Sequence, residues 1–518
     1  AALWGGLFSP AQQTFKKTIA NPEGLNMAKS DVQKNGSMQD AMFYAILFSF
    51  CACMCGEIAF PEISVYDQKR FVQLAIFFAF SLNIIVSNQF RKDMLDAWAR
   101  LPKLFRKATY AVGVLGVVSS VLASLPKHAF QELALFGFLF LLTLYLSTRL
   151  SSVAAHRLAV GVIGLAVSLY GWRYLTGAYL PSLIFSDPLG ANEQFIGFSH
   201  PRFLNQFQSW TLPFLTALPI VFSRISQPYR WMTWLPGTLS WALLFATSGR
   251  GATVATAVAL MLVVVLFRGR SLAWAKTYLM LAIYGLLVYG LFFIFIPPYL
   301  GLEHEPSTVI QRLGNDGLMG RDRLWGRALE LWIGQPIFGI GPQQYAVFEL
   351  QNIAAHPHSA PLQWLSEWGI ISFCIVSALL FWGAIGWVAF SRKFVNEATA
   401  QQSVILISVT ASLVAGSVHG LVSGITVMPL SQLTMCLVVG WALALYHGSC
   451  RTAGVREQPR SSEQRGLVIL VLLLTATLVA TSYPEIAMGE RRTSSYTDSH
   501  PEEKWLRPRF WQQGYIGW

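Results

Sequence analysis

The chain has 518 residues, of which 54% are hydrophobic and only 12% charged, with 38 Lys and Arg against 26 Asp and Glu for a formal net charge of +12. That charged fraction is about half that of an ordinary soluble domain and argues against a soluble enzyme. Six cysteines in this length exclude a disulfide-stapled secreted scaffold, and 14% aromatic residues exclude a disordered chain.

The apolar residues fall in repeated blocks of about twenty, the length that crosses a bilayer as a helix. This predicts an all-α polytopic membrane protein. Residues 1–40 form a cytoplasmic N-terminal segment in which Lys16, Lys17, Lys29 and Lys34 accompany no apolar signal-peptide core; its first 37 residues read as an interfacial helix or a non-native extension. Apolar runs follow at 41–60, 71–89, 108–125, 129–148, 153–171, 208–223, 231–248, 252–267 and 273–297, then at 368–390, 403–423, 427–446 and 466–482. These predict about 13 crossings: helices 1–9 within 41–297, a large periplasmic loop at 298–367, helices 10–13 within 368–482, and a periplasmic C-terminal tail at 483–518. With the N-terminus inside, 23 of the 38 basic residues lie on the cytoplasmic side, six of them between 89 and 107. Much of the positive charge therefore orients the chain in its bilayer rather than binding nucleic acid. Cys51, Cys53 and Cys55 sit in an apolar run without a second ligand cluster, so packing is preferred there to a metal site, and no metal is expected.

Four outward elements are polar against this background. Between the fifth and sixth runs stand His200, Arg202, Asn205 and Gln206, readable as a snorkelling Arg with capping neighbours or as a functional group. Ser248-Gly249-Arg250-Gly251 connects two apolar helices in a few residues. Its Arg works against orientation by charge and is well placed for an anion at a helix N-terminus. Gly320-Arg321-Asp322-Arg323 opens an amphipathic helix, where Arg321 opposes the macrodipole at a cost of about 0.3–1 kcal/mol unless an anion is near. Asp322 or a phosphate-bearing ligand would supply that anion; Arg323 and Arg327 read more simply as a solvated or carboxylate-paired face. His356-Pro357-His358 then leads into the tenth run, with Glu367 further on. A histidine at the water–membrane boundary is expected to titrate near neutrality and to accept a hydroxyl proton. His419, inside the eleventh run near Gly416 and Gly420, reads as a helix-packing residue.

Several Arg residues beside a His suit a phosphate-bearing donor and a hydroxyl acceptor, because guanidinium forks hold phosphate and stabilise charge on a departing diphosphate. No glycosidase-like acidic pair, phosphate-binding loop or Ser-His-Asp pattern is visible.

The order of Ser248-Gly249-Arg250-Gly251-Ala252, Gly320-Arg321-Asp322-Arg323-Leu324-Trp325, the 336–341 turn, His358-Ser359 and Glu367-Trp368-Gly369 resembles the bacterial O-antigen ligase and polymerase superfamily, which includes the pilin-type O-linked oligosaccharyltransferases. The resemblance implies a GT-C class glycosyltransferase-like fold in the bacterial inner membrane, with the active site facing the periplasm. It also implies transfer of a glycan en bloc from undecaprenyl diphosphate to a hydroxyl of a pilin-like protein or of lipid A-core, without a cofactor. Arg250 and Arg321 would bind the diphosphate and His358 would be the general base. Arg202 would be a further phosphate ligand, Arg323 a further substrate-binding candidate, and Glu367 would orient the loop or the His. The family's final motif places Asn after the His, whereas Ser359 follows His358 here, which keeps His356 in reserve. An O-antigen polymerase shares the donor. A lipid-linked oligosaccharide flippase is the alternative of another class, and would need ionisable groups near mid-membrane.

Overall fold

The computed structural model describes residues 37–55, 63–185, 195–302, 320–347, 350, 354–449, 459–499 and 508–516, without the side chains of 37–39, 449 and 487–499. In chain order the helices are α1 (Ser37–Cys55), α2 (Val65–Val86), α3 (Asn88–Arg100), α4 (Lys103–Leu122), α5 (Pro126–Arg149), α6 (Val153–Tyr174), α7 (Leu180–Phe185), α8 (Pro201–Val221) and α9 (Trp231–Ala246). They continue as α10 (Arg250–Phe267), α11 (Leu272–Tyr289), α12 (Ile296–Tyr299), α13 (Arg321–Gly334), α14 (Ala360–Glu397), α15 (Ala400–Gly420), α16 (Pro429–Ser449) and α17 (Ser461–Ser499). The starts follow capping chemistry: Ser64, Ser87 and Ser152 each accept an N–H of the first turn, and Thr399 with Gln402 forms a capping box at α15.

Among the described residues a helix lies within each of the thirteen apolar runs, and nine stretches are long and apolar enough to cross a membrane. One of the nine, Arg250–Tyr299, contains both α10 and α11, separated by Arg268 at φ 48°. α8 and α9 are not among the nine. α9 has 16 residues, and α8 carries Asn205, Gln206, Gln208, Ser209 and Thr211 in its first half.

α8 is the buried centre of the bundle, touching α6, α9, α10, α11, α15 and α16. With lipid on one side and helix on the other, small residues set how closely axes approach. Gly416 of α15 receives the Trp210 ring of α8, and Gly440 of α16 lies against the backbone of Thr143 in α5. α4, α10 and α14 stand at the outside, with Tyr110, Val265 and Phe381 among their exposed residues.

Two features at one end of the bundle place the polar groups. α14 is broken at Gly369, whose backbone lies at φ 74°, ψ 173°. The break frees carbonyls that the 336–341 turn satisfies: Ile340 N–H donates to Ser366 O (2.9 Å) and Gly341 N–H to Glu367 O (3.0 Å), while Ile370 N–H donates to Pro336 O (2.9 Å). A Cβ on Gly339 would stand 2.5 Å from the Glu367 carbonyl, so only glycine permits this backbone-on-backbone contact. The docked turn holds α13 against the start of α14.

The second feature is the tail. Ile516 N–H donates to Ala346 O (3.0 Å), and the buried Arg70 of α2 donates to Phe510 O (2.9 Å) while lying over the Phe510 ring. Trp511 Nε1 donates to Glu485 Oε2 (2.7 Å). Phe510 and Trp511 are thus buried against α2 and α17, where Trp511 also meets the Phe71 ring, and Tyr515 is buried as well; Trp505 and Trp518 lie outside the described residues.

Candidate functional site

Three helices begin on or beside an arginine at this end. In α8, Arg202 follows Pro201, and its N–H is capped by His200 Nδ1 (3.1 Å). In α10, Arg250 is the first residue; Ser248 before it turns at φ 49°, its carbonyl accepting Arg250 N–H (2.9 Å). In α13, Arg321 is the first residue, after Gly320 at φ 74°. No side chain caps α10, α13 or α14. Guanidinium at the positive end of a helix costs about 0.3–1 kcal/mol, a cost that an anion between those ends reverses.

The chain before α14 delivers the histidines. His358 lies at φ 52° and its N–H donates to His356 Nδ1 (3.2 Å), with the rings edge-on at 4.2 Å. A left-handed histidine persists only where its surroundings hold it, and such positions concentrate at functional sites. The His356 ring is buried against Gly424, where a Cβ would collide with it. His356 thus shapes the turn rather than facing the opening.

The charges of Arg202, Arg321 and His200 reach His358, and that of Arg250 reaches Arg321. Burial, then those three groups, push the His358 imidazole down to about 3. This corrects the expectation of titration near neutrality: the boundary position is less wet, and more positive, than its place in the sequence implies. Burial, with His358 and Arg509, holds His356 well below its usual value too. Burial and Arg250 together lower the Arg321 guanidinium from its ordinary value.

Arg202, Arg250, Arg321 and His358 are therefore brought together. Arg323 is exposed on α13, two residues past Arg321 and so on the opposite side of the helix. Asp322 is exposed as well, and among the described residues no carboxylate pairs with Arg321. Arg327 pairs with Glu330 at 3.1 Å as a surface ion pair.

Glu367 is fully buried. Its Oε1 accepts Tyr345 N–H (3.1 Å) and its Oε2 accepts Arg509 Nη2 (2.6 Å). Arg509 also forks onto Glu132 (2.8 Å to each oxygen) and donates to Ala355 O (3.4 Å), the carbonyl just before His356. Of the two roles expected for Glu367, the geometry supports orientation of the loop.

Sequence reasoning missed Arg509, Glu132 and the neighbours of His419. His419 is buried where α15 meets α8, bonds Ser209 and lies beside Gly251 at the start of α10, while Gly416 is filled by Trp210. Asn205 stands 2.6 Å from where a Gly249 Cβ would be, and bonds Thr247 and Gln208. A histidine within an apolar run and the row of polar residues in α8 were the available signals; nothing local marked Arg509.

Residues 237–377, which contain Arg250, Arg321, His358 and Glu367, match a family model described as O-antigen ligase. No curated protein matches the chain.

Proposed function

We propose, from the match of residues 237–377 to the O-antigen ligase model, that the chain belongs to the O-antigen ligase and polymerase superfamily and is a membrane glycosyltransferase that moves a glycan en bloc from undecaprenyl diphosphate to a hydroxyl acceptor at the periplasmic face of the bacterial inner membrane. The reading includes a GT-C-like arrangement of thirteen crossings with the helix starts of α8, α10, α13 and α14 facing outward. The observation that carries it is the meeting of three arginine-bearing helix N-termini, two of them uncapped, around a strained histidine.

In this reading the diphosphate lies across Arg250, Arg321 and the first turns of α10 and α13, with Arg202 at its edge. The acceptor hydroxyl gives its proton to the neutral His358 ring, and its oxygen attacks the first sugar carbon. The bond from that carbon to the phosphate oxygen breaks, and the electron pair leaves with the diphosphate. Preorganised guanidinium groups and helix dipoles stabilise the charge that develops there. Arg509, Glu367 and His356 hold the turn on which His358 sits.

The pilin-like protein is the favoured acceptor, because the 203–206 segment and His358-Ser359 resemble the pilin-type enzymes. The test is transfer in vitro from glycan-loaded undecaprenyl diphosphate to purified pilin, to lipid A-core and to a second lipid-linked glycan, comparing native protein with a folded His358→Ala variant. Transfer to one acceptor, lost in the variant, is expected. Transfer only to the lipid-linked glycan would mark a polymerase, and none to any acceptor would remove the transferase reading.

A further inference from the structure

His419 is a buried imidazole whose Nδ1 is bonded within the bundle. Ser209 Oγ donates its single proton to Asn205 O (3.0 Å) and lies 2.7 Å from His419 Nδ1. When the hydroxyl proton is on the Asn205 carbonyl, Ser209 accepts from Nδ1–H and Nε2 is left for another partner. Among the described residues no group bonds to Nε2, although His419 is only 5% exposed. A Cβ on Gly251 would stand 3.0 Å from Nε2, so this nitrogen borders the uncapped first turn of α10.

We propose that His419 is a further ligand of the donor's diphosphate, donating from Nε2–H to a phosphate oxygen while Nδ1–H stays on Ser209. Both ring nitrogens then carry hydrogen, so one proton is taken from solvent as the diphosphate binds and returned when it leaves. Of the charged and titratable groups nearby, Arg321 of α13 reaches His419; Arg250 of α10 reaches Arg321, and Arg202 and His200 of α8, with Arg321, reach His358 before α14. The anion offsets those positive charges and lets the imidazolium form beside them. This inference rests on the reading of the site as a diphosphate site.

Its test uses full-length protein in detergent and undecaprenyl diphosphate as the probe, in a His358→Ala background so that the second histidine does not contribute. Binding is followed by calorimetry in two buffers of different ionisation enthalpy. Uptake of one proton is expected. His419→Asn keeps a donor to Ser209 and removes only the distal nitrogen; it should abolish the uptake and weaken binding roughly tenfold at unchanged melting temperature, as expected for a charge-assisted hydrogen bond. Ser209→Ala, which frees the ring to rotate, should weaken binding less. Unchanged affinity and uptake in His419→Asn would overturn the assignment while leaving the transferase reading in place. Native protein that fails to bind undecaprenyl diphosphate would instead remove that reading, and this one with it.

Discussion

Arg509 and Glu367 meet at 2.6 Å although 142 residues separate them in the chain, and both are buried. The pair joins the C-terminal tail to the first half of α14, and the same guanidinium forks onto Glu132 of α5. Removing one partner of such a cluster leaves uncompensated buried charge, which costs about 3–5 kcal/mol. Arg509→Ala should therefore lower the melting temperature sharply and release Ala355 O, with loss of transfer. Arg509→Lys should recover part of the stability but little activity, since an ammonium lacks the planar fork that reaches Glu132 and Glu367 together. Thermal unfolding alongside a transfer assay checks both; an Arg509→Ala variant as stable as the native chain would contradict this account.

The docking of the 336–341 turn on the α14 break predicts a strong glycine requirement. Gly369 lies at φ 74° with the Ile337 carbonyl where a Cβ would go, and Gly339 faces the Glu367 carbonyl in the same way. Gly369→Ala combines left-handed strain of about 1–3 kcal/mol with a steric clash that must undock the turn. Faster proteolysis between α13 and α14 and reduced transfer are the expected outcomes. Gly334→Ala, at a position where a Cβ meets nothing within 4 Å, serves as the tolerant control.

Much of this architecture was legible in the sequence, because a bilayer forces nearly every spanning segment into an apolar helix. The arginines were legible for a related reason: in a chain with so few charges, Arg250 in a short connection and Arg321 at a helix start stand out, although Asp322 offered Arg321 a structural partner. α8 was harder to read as a crossing, since its polar first half bonds inward, Gln206 to Ser423 and Gln208 to Ser240. The role of Glu367 depended on Arg509, a partner that only tertiary folding brings near. The titration of His358 was misjudged because local sequence reports neither its burial nor the two arginines and His200 that face it.

That depression has a definite sign. Unfolded, His358 titrates near 6.5; in the fold its imidazole is pushed down to about 3. Between those values the unfolded chain binds more protons, so stability from this group is complete above about 6.5 and falls as pH drops towards about 3. His358→Gln should flatten the acid side of the stability profile. Arg202→Gln or Arg321→Gln should raise the pH at which His358 protonates, read by NMR of ring-labelled histidine, and a bound diphosphate should raise it further by offsetting the same charges. If none of these shifts the histidine signal, the arginines do not govern its basicity.

The arginines themselves should separate by position rather than by type. Arg250 and Arg321 are the first residues of uncapped helices and share one field, whereas Arg323 is exposed on the other side of α13. Loss of one preorganised group facing developing charge lowers kcat by about 10²–10³. Arg250→Ala and Arg321→Ala should each fall in that range. Arg321→Lys should stay well below native, because a single ammonium does not fork onto phosphate oxygens. Arg323→Ala should stay within about twofold of native, as expected for a solvated surface charge. Steady-state transfer rates for the four variants decide between a site built from helix starts and a diffuse basic surface, which would make Arg323 count as much as Arg321.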